Sequence, residues 1–248
     1  MDVGRGEVER LRAAREAVLG RIADACAQVR REPGEVTLVA VSKTVPAERL
    51  RAAVEAGLTI LGENRVQEAE EKVGEVAGAT WHLIGPLQSN KARRAIETFD
   101  VVESVDSLPL AQRLDRLVGE RGGDPLPVLL EVNVDADPSK SGFDPGVLAD
   151  ALPEIVALPA LDVRGLMTIG RLVEHAEDAR PTFRGLRELS ARLRAIEPRL
   201  GAELSMGMSA DYPVAVEEGA TIVRVGQAIF GERPHAHEGK PPHVHRPA

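Results

Sequence analysis

Val36-Thr-Leu-Val-Ala-Val-Ser-Lys43-Thr-Val-Pro46 decides how the rest of the chain is read. Six of its first seven residues are apolar or β-branched, the pattern of a strand buried on both faces. The run ends in Ser42 and Lys43, and Pro46 is placed to open a helix over 46–56. A buried strand followed by a helix is the unit of a parallel α/β fold, which places its chemistry at the carboxyl ends of its strands. An amine held there is partly desolvated, which lowers its pKa and frees it as a nucleophile toward aldehydes. Taken alone, Lys43 is better read as a side chain that reaches solvent from a strand end. The rest of the chain changes that balance.

The same rhythm repeats downstream. Apolar runs at 59–61, 82–84, 101–104, 128–134, 163–169, 203–206 and 221–225 each lead into turn residues. Helical patterns follow over 65–76, 89–98, 108–120, 145–157, 176–196, 212–218 and a short 227–230. Eight strands alternating with eight helical segments is the count that closes a parallel (β/α)8 TIM barrel. An open doubly wound sheet is the alternative, but no Gly-x-Gly-x-x-Gly follows the first strand. Residues 7–31 form an extra N-terminal helix, with Val8, Leu11, Val18, Leu19, Ile22 and Val29 near one stripe and Pro33-Gly34 as its stop. Residues 1–231 are expected as one domain. In 232–248, His235, His237, His243 and His245 lie among prolines, the composition of a solvated, disordered tail.

Composition excludes several functions. One tryptophan, one tyrosine and four phenylalanines leave few platforms for stacking bases, and a net charge of -8 disfavours a phosphate backbone as partner. No nucleic acid is therefore expected. No apolar run reaches the length of a membrane span, and nothing at the N-terminus resembles a signal peptide. The single cysteine, Cys26, suits a reducing cytosol and is read as packing. The expectation is a cytoplasmic, monomeric protein.

In such a barrel the loops after the strands gather at one mouth. Ser42 and Lys43 follow the first strand, and Glu63 and Asn64 the second. His82 lies in the third, with Gln88, Asn90 and Lys91 beyond it. Met167 and Thr168 end the sixth strand, Ser205 to Ser209 the seventh, and Arg224 to Gly226 the eighth. Ser205-Met-Gly-Met-Ser209 before a helix offers hydroxyls and amides to a phosphate, and Gly226 permits close approach to a second set. The loops after strands seven and eight are the recurrent phosphate position of this fold, although each glycine alone is equally turn punctuation. A phosphate cradle opposite a strand-end lysine fits pyridoxal 5'-phosphate (PLP), which carries both an aldehyde and a phosphate. Arg224 would then face the pyridine nitrogen. A guanidinium keeps its proton, so the nitrogen stays unprotonated and the cofactor is a poor electron sink.

Seven segments carry a resemblance. They are Val41-Ser-Lys43-Thr, Gly62-Glu-Asn-Arg-Val-Gln-Glu68, Trp81-His-Leu-Ile-Gly-Pro-Leu-Gln-Ser-Asn-Lys91, Ser139-Lys-Ser-Gly142, Gly165-Leu-Met-Thr168, Leu204-Ser-Met-Gly-Met-Ser209 and Val223-Arg-Val-Gly-Gln-Ala-Ile-Phe-Gly231. In this order they resemble the pyridoxal phosphate homeostasis protein family. The resemblance implies a single barrel of the alanine-racemase N-terminal type with PLP as a covalent aldimine on Lys43. It implies phosphate contacts from Ser205, Ser209 and Gly226, and Arg224 at the pyridine nitrogen. Asn64, His82 and Met167 complete the expected cofactor site.

The function expected from this is intracellular PLP homeostasis: buffering the cofactor and delivering it to PLP-dependent apo-enzymes, without catalysis. The alternative is a PLP-dependent amino-acid racemase or related enzyme. Racemases of this type use a tyrosine from a second, mainly β domain opposite the lysine, and no such domain is expected here. Tyr212, the only tyrosine, begins a helix after the seventh strand and is poorly placed as that base, which leaves His82 as the substitute. A plain barrel for another phosphorylated metabolite would leave Lys43 without a role. Glu63 and Glu68 are read as capping or solvated residues, and Lys91 and Lys140 either add positive charge near the mouth or are structural.

Overall fold

Eight parallel strands close on themselves in chain order. They are β1 (Thr37–Val41), β2 (Ile60–Glu63), β3 (Thr80–Leu83), β4 (Val101–Val105), β5 (Leu126–Glu131), β6 (Leu161–Met167), β7 (Glu203–Ser205) and β8 (Ile222–Val225). The computed structural model describes residues 3–171 and 173–231; the expected tail at 232–248 lies outside them. Closure is made by β1, which pairs with β2 through Val41 and Gly62 and with β8 through Ala40 and Val225.

The α-helices are α1 (Val3–Gln28), α2 (Ala47–Glu55), α3 (Val66–Val73), α4 (Ala92–Thr98), α5 (Leu108–Arg121), α6 (Pro145–Ile155), α7 (Arg180–Ile196), α8 (Tyr212–Glu217) and α9 (Gln227–Phe230). All but α1 follow a strand, so the chain is the expected (β/α)8 barrel with an added N-terminal helix. That helix packs on α2, α8 and α9. It is pinned there by Arg49 of α2, which bonds Glu7 of α1 at 2.6 Å and the Phe230 carbonyl of α9 at 2.6 Å. Cys26 is fully buried on α1, where desolvation raises its thiol pKa, as packing requires. Among the described residues no helix is long and apolar enough to cross a membrane.

Alternation along the strands sorts residues into two layers. Val39, Ile84, Val101, Leu129, Met167 and Ile222 form an inner cluster within the barrel. Residues one step away, such as Ala40, Leu61, Leu83, Val102, Leu130 and Val223, join the shell between sheet and helices. The same phase places His82, Glu103, Glu131, Ser205 and Arg224 inward, and Ser42 and Glu63 outward toward the helices.

Several boundaries differ from the sequence pattern, among them α1, which spans Val3–Gln28 rather than 7–31, and β6, which spans Leu161–Met167 rather than 163–169. The second strand runs on to Glu63, because Gly62 and Glu63 pair with His82 and Leu83. The fifth strand stops at Glu131 rather than 134. There the Asn133 side chain binds both backbone groups of Asp137, at 2.7 and 3.0 Å, and turns the chain out of the sheet.

Candidate active site

Lys43 stands, half-buried, in the turn that leaves β1, two residues after the inward-facing Val41. Its neighbour Thr44 has φ 65°, an uncommon left-handed conformation for a β-branched residue. Both flanks of Lys43 are held. Ser42 is fully buried, and its hydroxyl donates to Glu63 Oε1 at 2.8 Å. The Thr44 amide donates to Glu68 Oε1.

Glu63 is not a solvated cap, contrary to the sequence expectation. It is fully enclosed between β2 and α3, where the Lys72 ammonium meets it at 2.7 Å. Desolvation raises its pKa against the pull of Lys72, whereas at Glu68 the bonds from Lys72 and Thr44 overcome a desolvation penalty and lower it. The outward phase of β2 explains the error: a strand-end carboxylate facing a covering helix is buried, and the helix must supply its cation.

Inside the barrel four side chains form a chain of contacts across β3, β4, β7 and β8. His82 Nδ1 lies 2.6 Å from Glu103 Oε1, the Ser205 hydroxyl donates to Glu103 Oε2 at 2.5 Å, and Arg224 donates to Ser205 Oγ at 2.6 Å. A second Arg224 N–H reaches the Thr168 carbonyl at 2.7 Å. Burial lowers the Arg224 pKa, while the charges of Glu103, Glu131 and Asp211 oppose that. Burial likewise penalises ionised Glu103, but His82, Arg224 and Ser205 outweigh it and hold its pKa below the ordinary value. Ser205 therefore has its hydroxyl engaged beneath the mouth, as a support for Arg224. Met167 is fully buried in the inner cluster, under the mouth.

The loops after β7 and β8 meet next to β1. The Gly226 amide donates to Ser209 Oγ at 3.1 Å, so an amide and a hydroxyl converge on one place. A Cβ on Gly226 would lie 3.2 Å from Val41 Cβ, two residues before Lys43. The loop itself turns at Gly207, whose φ of +91° and close contact with Ala215 suit glycine alone. Asn64 follows β2, half-buried.

Across the mouth, a cavity of about 190 Å3 is lined by Glu131, Asn133, Ser139, Lys140, Ile169 and Pro86. Lys140 Nζ donates to the Ile169 carbonyl at 3.2 Å. Glu131 is buried with Oε2 unpaired; desolvation and the nearby charge of Asp106 push its pKa up to about 7, against the opposing charge of Arg224. Glu103 and Glu131 were not singled out from the sequence. The signal was present: each is a carboxylate within an otherwise apolar buried strand, Val101-Val-Glu103 and Val128-Leu-Leu-Glu131.

A family model described as alanine racemase, N-terminal domain, matches residues 18–234. The pyridoxal phosphate homeostasis protein of Pseudomonas aeruginosa is 45% identical over 219 residues, covering 87% of this chain and 93% of its own. That of Escherichia coli K12 is 40% identical over 226 residues, with 87% and 94% covered. A solved structure of PipY from Synechococcus elongatus with PLP bound is 46% identical, with a TM-score of 0.76 over 85% of this chain and 100% of that one. An alanine racemase of Clostridium difficile superposes with a TM-score of 0.71 at 15% identity, over 92% of this chain and 58% of its own, a likeness of fold alone.

Proposed function

The chain belongs to the pyridoxal phosphate homeostasis protein family, with the alanine-racemase N-terminal fold, and from that premise we propose that it holds PLP covalently through Lys43 and acts as a non-catalytic carrier of the cofactor. The observation that carries this is the packing of Gly226, whose amide bonds Ser209 Oγ, against Val41, two residues before Lys43. It supports a reading in which the Lys43 amine and the Ser209–Gly226 loops serve as the two anchors that an aldehyde-bearing phosphate ester needs. The PLP bound by PipY supports PLP as the ligand.

PLP, when bound, would supply an aldehyde, and Lys43 would supply the amine that holds it, reversibly and with water as the only other reactant. Ser209 and Gly226 would hold the phosphate, and Asn64, His82 and Met167 would lie on the ring's side of the site. Arg224, fixed by Ser205 and the Thr168 carbonyl, offers the ring nitrogen a donor that does not give up its proton. This weakens the electron sink that carbanion chemistry uses and suits a protein that buffers PLP and passes it to apo-enzymes. The proposal includes a monomer working in the cytoplasm.

The racemase reading needs a second base opposite Lys43. Tyr212 is fully buried with its ring 5.0 Å from the Arg21 guanidinium of α1, in the helical layer, which removes it as that base and favours the carrier.

The test adds PLP to the cofactor-free protein and to Lys43→Ala, reduces with borohydride, and maps the attached mass by peptide. The expected result is attachment at Lys43 in the wild type, its loss in the variant, transfer of unreduced PLP to an apo-enzyme, and no racemisation of alanine. Absence of attachment in the wild type would overturn the covalent site. Turnover of an amino acid at a rate above that of free PLP would replace the carrier with an enzyme.

A further inference from the structure

We propose that Lys72 is a positioning residue for Lys43, acting from behind the sheet without touching the cofactor. This rests on the reading of Lys43 as the cofactor's anchor. The Lys72 ammonium has three N–H donors, and three acceptors meet them: the Ser42 carbonyl at 3.0 Å, Glu63 Oε1 at 2.7 Å and Glu68 Oε1 at 2.9 Å. Those acceptors hold both sides of the Lys43 turn. Ser42 is tied directly through its carbonyl and indirectly through its hydroxyl on Glu63. Thr44 is tied through its amide on Glu68. One buried cation thereby fixes the residues immediately before and after the anchor.

The turn requires such a device. Thr44 in the left-handed region is strained and persists only when its surroundings over-determine it. Released, the turn would relax, and Lys43 Nζ would leave the position from which it reaches an aldehyde held by its phosphate. The geometry also separates Lys72 from the cofactor side. Glu63 and Ser42 point outward from β1 and β2, toward α3, whereas Val39, Val41 and the cradle at Gly226 lie on the inward phase. Lys72 is 7% exposed and spent on these three bonds, so a role as an alternative anchor for PLP does not fit it.

The experiment compares wild type, Lys72→Met and Lys72→Arg for the rate of covalent PLP attachment, and for Thr44 amide exchange by NMR in the cofactor-free protein. It repeats Lys72→Met in a Lys43→Ala background, where non-covalent PLP retention is measured. Loss of hydrogen bonds to a charged group predicts attachment slowed about tenfold to a hundredfold in Lys72→Met and partly recovered in Lys72→Arg. Thr44 exchange should accelerate, and retention in the Lys43→Ala background should not change. Attachment at the wild-type rate overturns the proposal, and so does an equal loss of retention in the Lys43→Ala background, which would mark a general structural role.

Should Lys72→Met fail to fold, Glu68→Ala carries the test. It removes a half-buried residue, frees the Thr44 amide and leaves the Glu63–Lys72 pair in place. A wild-type attachment rate in Glu68→Ala then overturns the clamp. If the wild type itself attaches no PLP, the anchor reading fails, while Thr44 exchange still decides whether Lys72 holds the turn.

Discussion

His82 Nδ1 lies 2.6 Å from Glu103 Oε1, with the glutamate fully enclosed inside the barrel. The second Glu103 oxygen accepts from Ser205, which in turn accepts from Arg224. One carboxylate thus organises the polar interior, joining His82 of β3 to Arg224 of β8. Its charge is the counterpart to a guanidinium that is only 4% exposed.

Glu103→Gln keeps the shape and removes that charge. Breaking a buried pair leaves its partner uncompensated, at about 3–5 kcal/mol. Urea unfolding near neutral pH should show a loss of that order. The depressed folded pKa of Glu103 also means that its contribution is present above the ordinary carboxylate value and is lost as pH falls through the folded one. The acid limb of the stability curve should flatten in the variant. A loss under about 1 kcal/mol, with an unchanged acid limb, would show that Glu131 and Asp211 already balance Arg224.

Glu131 works in the opposite sense. Its pKa rises from 4.5 to about 7, chiefly because burial penalises the charged form and secondarily through Asp106. Between those values the folded chain binds a proton that the unfolded chain has released, so stability falls as pH rises from about 4.5 to about 7. Each tenfold change in proton affinity is worth about 1.36 kcal/mol, which makes the whole fall roughly 3 kcal/mol. Glu131→Gln should remove this slope and be the more stable protein at pH about 8. Parallel stability–pH curves for the two proteins would exclude a buried, neutral Glu131.

Gly207→Ala tests the cradle. A Cβ there would lie 2.5 Å from Ala215 Cβ, on a backbone with φ +91°. Left-handed strain of about 1–2 kcal/mol and overpacking of about 1–3 kcal/mol add to a loss of at least about 2 kcal/mol. Non-covalent PLP retention in the Lys43→Ala background should also fall, because the loop that presents Ser209 is displaced. Retention at the Lys43→Ala level would detach this loop from phosphate binding.

The barrel was legible in the sequence because its signals are local. Short apolar runs, turn residues and helical stripes recur eight times, and each run needs only its own residues to be recognised. That Lys43, Ser209, Arg224 and Gly226 come to the strand ends at one mouth was legible for a related reason: a parallel barrel sends every strand end to the same side. Glu63 was misread because its motif looks the same whether the carboxylate meets water or a covering helix. Glu103 and Glu131 were passed over because a single charge in an apolar run does not name its partner.

The amino-acid sequence by itself determined the eightfold repeat, the order of the loops at the mouth and the chemical types available there. Tertiary structure alone decided which charges meet. Glu103 and Ser205 stand 102 positions apart, and Lys72 reaches Ser42 from 30 positions away. Strand alternation gives each residue its phase, inward or outward. Register between strands and the seating of each helix then select its neighbours, and in a low-dielectric interior those neighbours decide whether a buried charge is held or penalised.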